Sequence, residues 1–384
     1  MSPIERGQKV TIQRRDLDHL FQVLQQRGYT VVGPQRRDGA IVYDTLESSA
    51  DLPAGWTDDQ DAGSYRLVRR EDEALFGHRP GPSSWKRFLF PAELTLWRAV
   101  RNGHGFDIDH GGGRQPRYAL LGVRACELHA LAIQDRVFGG GPYGDSVYRA
   151  RRSQAFVIAV PCAEAGGTCF CVSMGTGPEV RDGFDLSLTE LVRDERHEFV
   201  AEVGSERGGE ILADVPHRPA TPADGEAARR VPEQAAAKMG RSMATDGLPE
   251  LLAKNPENAR WAQVAERCLS CGNCTMSCPT CFCHTVEDVT DLTATNAERV
   301  RRWDSCFSAE FSYIHGGSVR PTIRSRYCQW LTHKLSSWHD QFGTSGCVGC
   351  GRCITWCPAR IDITEEVRAI QEDRRRKEER RANS

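Results

Sequence analysis

Two copies of one cysteine motif lie in the C-terminal third of the sequence. Each copy reads C-x2-C-G-x-C-x3-C-P, and the copies begin at Cys268 and Cys347. Bacterial ferredoxins bind two [4Fe–4S] clusters with this run, whose fourth cysteine ligates the cluster of the other copy. The motif therefore predicts two [4Fe–4S] clusters with crossed ligands. The ligands predicted for the first cluster are Cys268, Cys271, Cys274 and Cys357, and those for the second are Cys347, Cys350, Cys353 and Cys278.

The spacing within each copy has a physical reason. Three thiolates on one tight loop can reach three irons of a cubane if the backbone curls around the cluster. Gly272 and Gly351 permit the positive φ that such a curl requires. A structural zinc site is the alternative, but zinc takes only four ligands, typically as two C-x2-C pairs. A zinc site would not explain why both copies have a third cysteine at the same spacing and a fourth cysteine before proline.

Four further cysteines follow two predicted strands in the N-terminal half. Cys126 comes directly after one apolar run, and Cys162, Cys169 and Cys171 follow the next one. Because strand ends in α/β domains converge on one edge of the sheet, the four thiols are expected to meet there. They predict a third [4Fe–4S] cluster, away from the ferredoxin-like segment. The alternative is a set of buried cysteines without a metal, as is common in protein cores.

The remaining four cysteines follow no such regular motif. They are Cys281, Cys283, Cys306 and Cys328. We interpret them as structural thiols packed around the cluster sites. A fourth metal site is the alternative.

Helices and strands that would position these cysteines are visible in the apolar pattern. Residues 16–27 carry apolar side chains at i, i+3, i+4 and i+7, which predicts an amphipathic helix. Apolar runs predict strands at 118–123 and 155–160, with a helix at 125–137 between them. This alternation indicates an α/β N-terminal domain over residues 1–203.

The rest of the chain divides by composition. Residues 204–258 are rich in Gly, Pro, Ala and charge, which predicts a linker with exposed helices. Residues 259–364 contain both motif copies and predict an α-rich ferredoxin-like dicluster domain. The charged residues 365–384 predict a solvated helical tail.

Composition and charge exclude several classes of protein. A net charge of −2 provides no basic field for nucleic acid. The longest apolar stretch, 156–160, is too short to span a bilayer, so direct membrane insertion is not expected. No apolar signal segment is present near the N-terminus, which predicts a cytoplasmic protein whose clustered cysteines hold metal rather than disulfides. A formal G-x-G-x-x-G match at 139–144 follows a predicted helix instead of a strand, and we interpret it as a surface loop.

Besides the twin motif, five strings of the sequence are distinctive: GSYRL (63–67), SWKRFLFP (84–91), GVRACELHALAIQDRVF (122–138), GGTCFCVSMGTGP (166–178) and WDSCF (303–307). With the twin motif they resemble the beta subunits of cytosolic sulfhydrogenases, which are NAD(P)-linked nickel–iron hydrogenases. They are similar as well to the A subunit of anaerobic sulfite reductase. Next to Cys126 this sequence has Ala125 and Glu127 where the family has Pro and Asp, but the cysteine is in place.

The resemblance implies a non-catalytic electron-transfer subunit. Such a subunit relays electrons between a flavin- and NAD(P)-binding subunit and the small and large subunits of a nickel–iron hydrogenase. The sequence has neither nickel-ligand cysteine pairs at its two ends nor a dinucleotide fingerprint in strand–turn–helix context, which agrees with a relay. An electron-transfer subunit of anaerobic sulfite reductase and a stand-alone ferredoxin-type carrier are the alternatives.

Overall fold

The computed structural model describes residues 3–110, 113, 115–193 and 196–383. The strands are β1 (Lys9–Gln13), β2 (Thr30–Arg37), β3 (Ala40–Thr45), β4 (Trp56–Asp61), β5 (Ser64–Arg69), β6 (Glu93–Asn102), β7 (Gly105–Asp109), β8 (Tyr118–Val123), β9 (Phe156–Ala159), β10 (Leu186–Arg193), β11 (Arg196–Val203), β12 (Arg218–Pro219), β13 (His284–Thr290), β14 (Asn296–Trp303), β15 (Tyr313–Ile314) and β16 (Gly317–Ser318). The α-helices are α1 (Leu17–Gln26), α2 (Lys86–Leu89), α3 (Ala125–Gly139), α4 (Ser146–Gln154), α5 (Glu206–Ala213), α6 (Pro222–Ala237), α7 (Leu248–Ala253), α8 (Arg260–Ala265), α9 (Asn273–Met276), α10 (Ile323–Thr332), α11 (Trp338–Phe342), α12 (Arg352–Thr355) and α13 (Ile363–Ala382). A π-helical turn, His333–Ser337, joins α10 to α11.

The largest sheet has eight strands in the order β12-β1-β11-β10-β9-β8-β2-β3. The central strands β10, β9, β8 and β2 are parallel, and antiparallel strands extend the sheet on both sides. Strands β8 and β9 are almost wholly buried, as expected for parallel strands covered on both faces. Val123 of β8 lies opposite Ala159 of β9, which confirms the predicted neighbouring strands.

Helices cover both faces of this sheet. On one face, Leu20 of α1 and Ile211 of α5 pack against alternate residues of β8 and β9. On the other face, Leu131 of α3 and Tyr148 of α4 pack against the residues in between. Both faces of the sheet are apolar and are covered by helices. The α/β class predicted for the N-terminal part is therefore confirmed.

A second, four-stranded sheet joins the N-terminal part to the cysteine-rich part. Its order is β13-β14-β6-β7, and every neighbouring pair is antiparallel. The pairing of β6 with β14 runs from Glu93 opposite Arg302 to Val100 opposite Asn296. The two parts expected as consecutive domains therefore share main-chain hydrogen bonds.

Residues 204–258 are folded onto their neighbours, which corrects the linker prediction. Ile211 and Leu212 of α5 lie in the core of the main sheet, and β12 adds a strand to its edge. Leu251 and Leu252 of α7 lie in the core beneath the cysteine motifs. The composition was misleading because each short helix buries only a few apolar residues and leaves its charged face in water.

The cysteine-rich part has an apolar core of its own. Trp261 of α8, Trp330 of α10 and Ile370 of α13 are almost fully buried there. The predicted charged tail is the end of α13, whose residues from 374 onward are exposed. This part also contains β13–β16, so it is less purely helical than predicted. Among the described residues, no helix has the length and apolar character needed to cross a membrane.

Candidate iron–sulfur centres

The first three cysteines of the first motif copy lie beside the last cysteine of the second copy. Five motif cysteines line one cavity together with apolar residues that include Phe307, and the fifth of them, Cys353, also neighbours the cysteines of the second set. Burial raises the pKa of the Cys268 thiol, and the nearby Cys357 and Cys271 thiols raise it further, against the opposing effect of a backbone hydrogen bond. The set consists of Cys268, Cys271, Cys274 and Cys357, and Cys271 is its exposed member.

The second copy correspondingly surrounds the last cysteine of the first. Burial raises the pKa of the Cys353 thiol well above its ordinary value, and Cys347, Cys350 and Cys278 raise it further. Each copy thus contributes three thiols to one set and one thiol to the other. This is the arrangement that crossed ligation requires.

Backbone N–H groups point at these sulfurs. Gly349 donates to Cys347 Sγ at 3.4 Å, and Ile361 donates to Cys357 Sγ at 3.3 Å. Hydrogen bonds of this kind stabilise thiolate charge and tune the potential of a cluster that the thiolates hold.

A buried ammonium group faces the second set. Lys334 Nζ lies 3.2 Å from Cys278 Sγ, and the residue is 3% exposed. Burial alone would lower the pKa of Lys334, but the thiolates of Cys278, Cys281 and Cys347 raise it well above its ordinary value. The ammonium therefore stays charged and offsets negative charge at this set.

The four N-terminal cysteines lie at the carboxyl edge of the main sheet. Cys126 is on the first turn of α3, directly after β8, and the other three are on the loop after β9. Burial raises the pKa of the Cys126 thiol well above its ordinary value, and Cys350, Cys171 and Cys162 raise it further. Burial and the neighbouring Cys162 also raise the pKa of Cys169 to about 12. The structure thus brings these four thiols together, with Cys350 of the second set beside them.

Burial and neighbouring thiols raise the pKa of several thiols in each set, whereas a hydrogen bond with Cys281 and the nearby Lys334 hold the pKa of Cys278 well below its ordinary value. Without a metal, burial and mutual repulsion hold the thiols with raised pKa values in the protonated form. A bound metal reverses this, since a coordinating thiol is deprotonated outright. The donor chemistry of the sets therefore fits iron–sulfur ligation.

The loop of the third set packs directly on the second motif. Phe170 N–H donates to Gly349 O at 2.8 Å, and Cys169 Sγ lies 3.9 Å from Cys350 O. The prediction that the third set lies away from the ferredoxin-like segment is therefore wrong. The physical reason is that the second motif inserts at the carboxyl edge of the sheet, where the strand-end loop can pair with it.

A buried ion pair, which the sequence analysis did not single out, ties the third set to the second motif. Arg352 lies between two cysteines of the second motif and pairs with Glu127, the neighbour of Cys126; the two side chains are 0% and 1% exposed. Glu127 also accepts hydrogen bonds from Tyr43 Oη at 2.9 Å and from Trp85 Nε1 at 3.0 Å. Two sequence signals could have indicated the pair: an arginine where the first copy has asparagine, and a carboxylate beside Cys126.

Three of the remaining cysteines line a second cavity, and the fourth stands apart. Cys281, Cys283 and Cys306 share this cavity, whereas Cys328 lies on α10. A hydrogen bond with Cys306 is the main reason that the pKa of Cys283 falls to about 7. Within the described ranges, no group of three or more His, Cys, Asp or Glu side chains has the geometry to hold a single metal ion.

Replacing Gly349 with alanine is expected to disturb the contact between the third set and the second motif. Gly349 has φ +64°, and a Cβ there would lie 2.7 Å from Cys171 Cα. We expect a loss of about 1–2 kcal/mol for the left-handed backbone and of about 1–3 kcal/mol more for overpacking. The denaturant midpoint of unfolding, measured without oxygen, gives this loss.

Gly343→Ala is the matched control for that substitution. Gly343 has φ +67°, but the nearest atom to its Cβ would be Arg136 Nη1 at 4.0 Å. Only the backbone term is therefore expected, at about 1–2 kcal/mol. Equal losses for the two variants would contradict the close packing at Gly349.

The crossed thiol sets, the backbone donors at the sulfurs and the motif glycines at φ +74° and +75° are features of a dicluster iron–sulfur protein. A family model described as "4Fe-4S dicluster domain" matches residues 267–361. The chain is also 35% identical over 294 residues to Sulfhydrogenase 2 subunit beta of Pyrococcus furiosus, which is 74% of this chain and 82% of that protein. The chain belongs to this family of sulfhydrogenase beta subunits, and it is an iron–sulfur electron-transfer subunit. No solved structure matches it.

Proposed function

We propose that the chain relays electrons within a cytoplasmic, hetero-oligomeric hydrogenase, between a flavin- and NAD(P)-binding subunit and the small and large nickel–iron subunits. Its similarity to a protein named as a sulfhydrogenase beta subunit supports this role. Each [4Fe–4S] cluster, when bound, supplies one-electron transfer. The chain's own residues hold the clusters, shield them from water and set their charge environment.

The order of the thiol sets is the observation that carries the proposal. Cys274 of the first set neighbours Cys278 of the second. Cys350 of the second set neighbours Cys126 and Cys171 of the third. The second set therefore lies between the other two, and a row of neighbouring redox centres is what a relay needs.

In this proposal three sets of thiolates hold three clusters. The dicluster region, with the ferredoxin-like arrangement, holds two through the crossed ligands, and the third set holds one at the sheet edge. The backbone N–H donors of Gly349 and Ile361 and the ammonium of Lys334 would favour the more negative, reduced state of the clusters beside them.

Isolation of the chain with its natural partners tests the relay role. A tagged full chain, purified anaerobically from its own host, is expected to bring down a flavoprotein and nickel-containing subunits. Hydrogen should then reduce the clusters of this chain within the complex. Recovery of a siroheme subunit instead would support the sulfite reductase alternative, and recovery of the chain alone would support a stand-alone carrier.

Removing one ligand of the third set is expected to lower the iron content by one cluster. Cys162→Ala should lose about four irons per chain, because a cubane has four irons, and should leave the spectra of the other clusters unchanged. Iron and sulfide analysis with Mössbauer spectroscopy measures the loss. Cys328→Ala is the control, since Cys328 belongs to none of the sets. An iron content that is the same in both variants would contradict a third cluster.

A further inference from the structure

The second cavity contains a donor set that none of the three clusters uses. It has a volume of ≈ 210 Å³ and is lined by Cys281, Cys283, Cys306 and His284, among others. That volume far exceeds the ~10–15 Å³ that one water needs. Its lining combines three thiols and an imidazole with aromatic side chains such as Phe311 and Trp330. The cavity therefore offers metal ligands and room for a body larger than a single water.

The imidazole of His284 is oriented as metal-ligating imidazoles are. Its Nδ1 lies 2.9 Å from Phe282 O. A carbonyl oxygen can only accept, so Nδ1 carries the proton and the lone pair of a neutral ring is on Nε2. Histidine ligands almost always donate their other ring N–H in this way, often to a backbone carbonyl. Histidine is also an established ligand of iron–sulfur clusters.

Two buried lysines lie near the cavity thiols, and one of them, Lys334, also faces Cys278 of the second set. Lys334 lines the cavity and is 3% exposed, and Lys86 is 4% exposed with its Nζ 2.9 Å from Cys281 O. Neither ammonium has a carboxylate partner within the part of the chain that the structure describes. Burying a charge is costly unless a counter-charge is near. A metal centre with three thiolate ligands is such a counter-charge.

We propose that Cys281, Cys283, Cys306 and His284 hold a further [4Fe–4S] cluster. This cluster is additional to the three clusters of the proposed relay. The proposal does not depend on whether the third set holds a cluster. The thiols of Cys281 and Cys278 are hydrogen-bonded to each other, and Cys306 neighbours Cys274. The site therefore adjoins both sets of the twin motif. It exchanges one electron with a neighbouring cluster, which is oxidised as this cluster is reduced, and so forms a branch at the junction of the first two centres.

Iron counting on the full chain tests the proposal. Protein purified without oxygen is expected to contain about sixteen irons per chain, against about twelve for three clusters, since each cubane has four irons. Cys283→Ser and Cys306→Ser should each lower the content by about four irons, and Cys328→Ser should leave it unchanged. About twelve irons in the native chain, unaltered by the first two substitutions, or zinc bound at these residues, would overturn the proposal.

A spectroscopic measurement on the folded protein tests the histidine ligand. Pulsed EPR of the reduced native protein should show the strong ¹⁴N coupling of a ligating imidazole. His284→Cys replaces the imidazole by a fourth thiolate, so the iron content should be retained while the ¹⁴N coupling disappears. A native spectrum without this coupling, or a coupling that persists in His284→Cys, would overturn the assignment.

Discussion

Cys357→Ala is expected to destroy the cluster of the first motif copy rather than that of its own copy. Cys357 lines the cavity of the first set together with Cys268, Cys271 and Cys274. The loss should be about four irons per chain, the content of one cubane. In the matched variant Cys278→Ala, the cluster of Cys347, Cys350 and Cys353 should be lost instead.

Pairs of substitutions show which cluster each cysteine serves. Cys357→Ala combined with Cys268→Ala should lose no more iron than either single variant, because both remove the same cluster. Cys357→Ala combined with Cys350→Ala should lose about eight irons, the content of two cubanes. If the first pair loses twice the iron of a single variant and the second pair does not, the crossed assignment is wrong.

Glu127→Gln is expected to destabilise the protein by about 3–5 kcal/mol, because it leaves the Arg352 guanidinium buried without its counter-charge. Glutamine keeps the size of the side chain, so the loss reports on charge rather than on packing. The pair joins the neighbour of Cys126 to the loop of the second motif, so the second and third clusters should be released together. Denaturant unfolding followed by far-UV circular dichroism and by cluster absorbance measures both effects.

A surface ion pair provides the control for this experiment. Arg299 and Asp288 lie 2.7 Å apart with side chains 44% and 60% exposed, so Asp288→Asn should leave the free energy of unfolding almost unchanged. Combining Glu127→Gln with Arg352→Met should cost less than the sum of the single changes, since no buried charge is then unpaired. A Glu127→Gln variant as stable as Asp288→Asn would show that the buried pair does not hold the two parts together.

Local spacing made part of the fold and of the candidate sites predictable. The eight motif cysteines are recognisable because ligands on one loop must follow one another at fixed intervals. The strands β8 and β9 are recognisable from continuous apolar runs, with the helix α3 between them. Because β8 and β9 pair in parallel, the segments that follow them place Cys126 near Cys162, Cys169 and Cys171 at one edge of the sheet.

Contacts between distant segments were not predictable in this way. The pairing of β6 with β14 joins residues some two hundred positions apart, and neither strand has an apolar run that shows its partner. The ion pair between Glu127 and Arg352 likewise joins segments that are far apart in the sequence. Composition alone did not reveal that residues 204–258 are folded, because their helices are mostly polar and charged and pack through only a few apolar residues.

The pairing of β6 with β14 has a consequence for how the protein is made. On the ribosome, β6 emerges long before β14, so one edge of the second sheet lacks its partner for most of translation. Cys357 appears later still, which leaves the first thiol set without its fourth sulfur until the chain is nearly complete. Unpaired strand edges favour aggregation. Completion of the two dicluster sites must therefore wait until the chain is nearly finished, and until then the unpaired edge of β6 must be kept from aggregating.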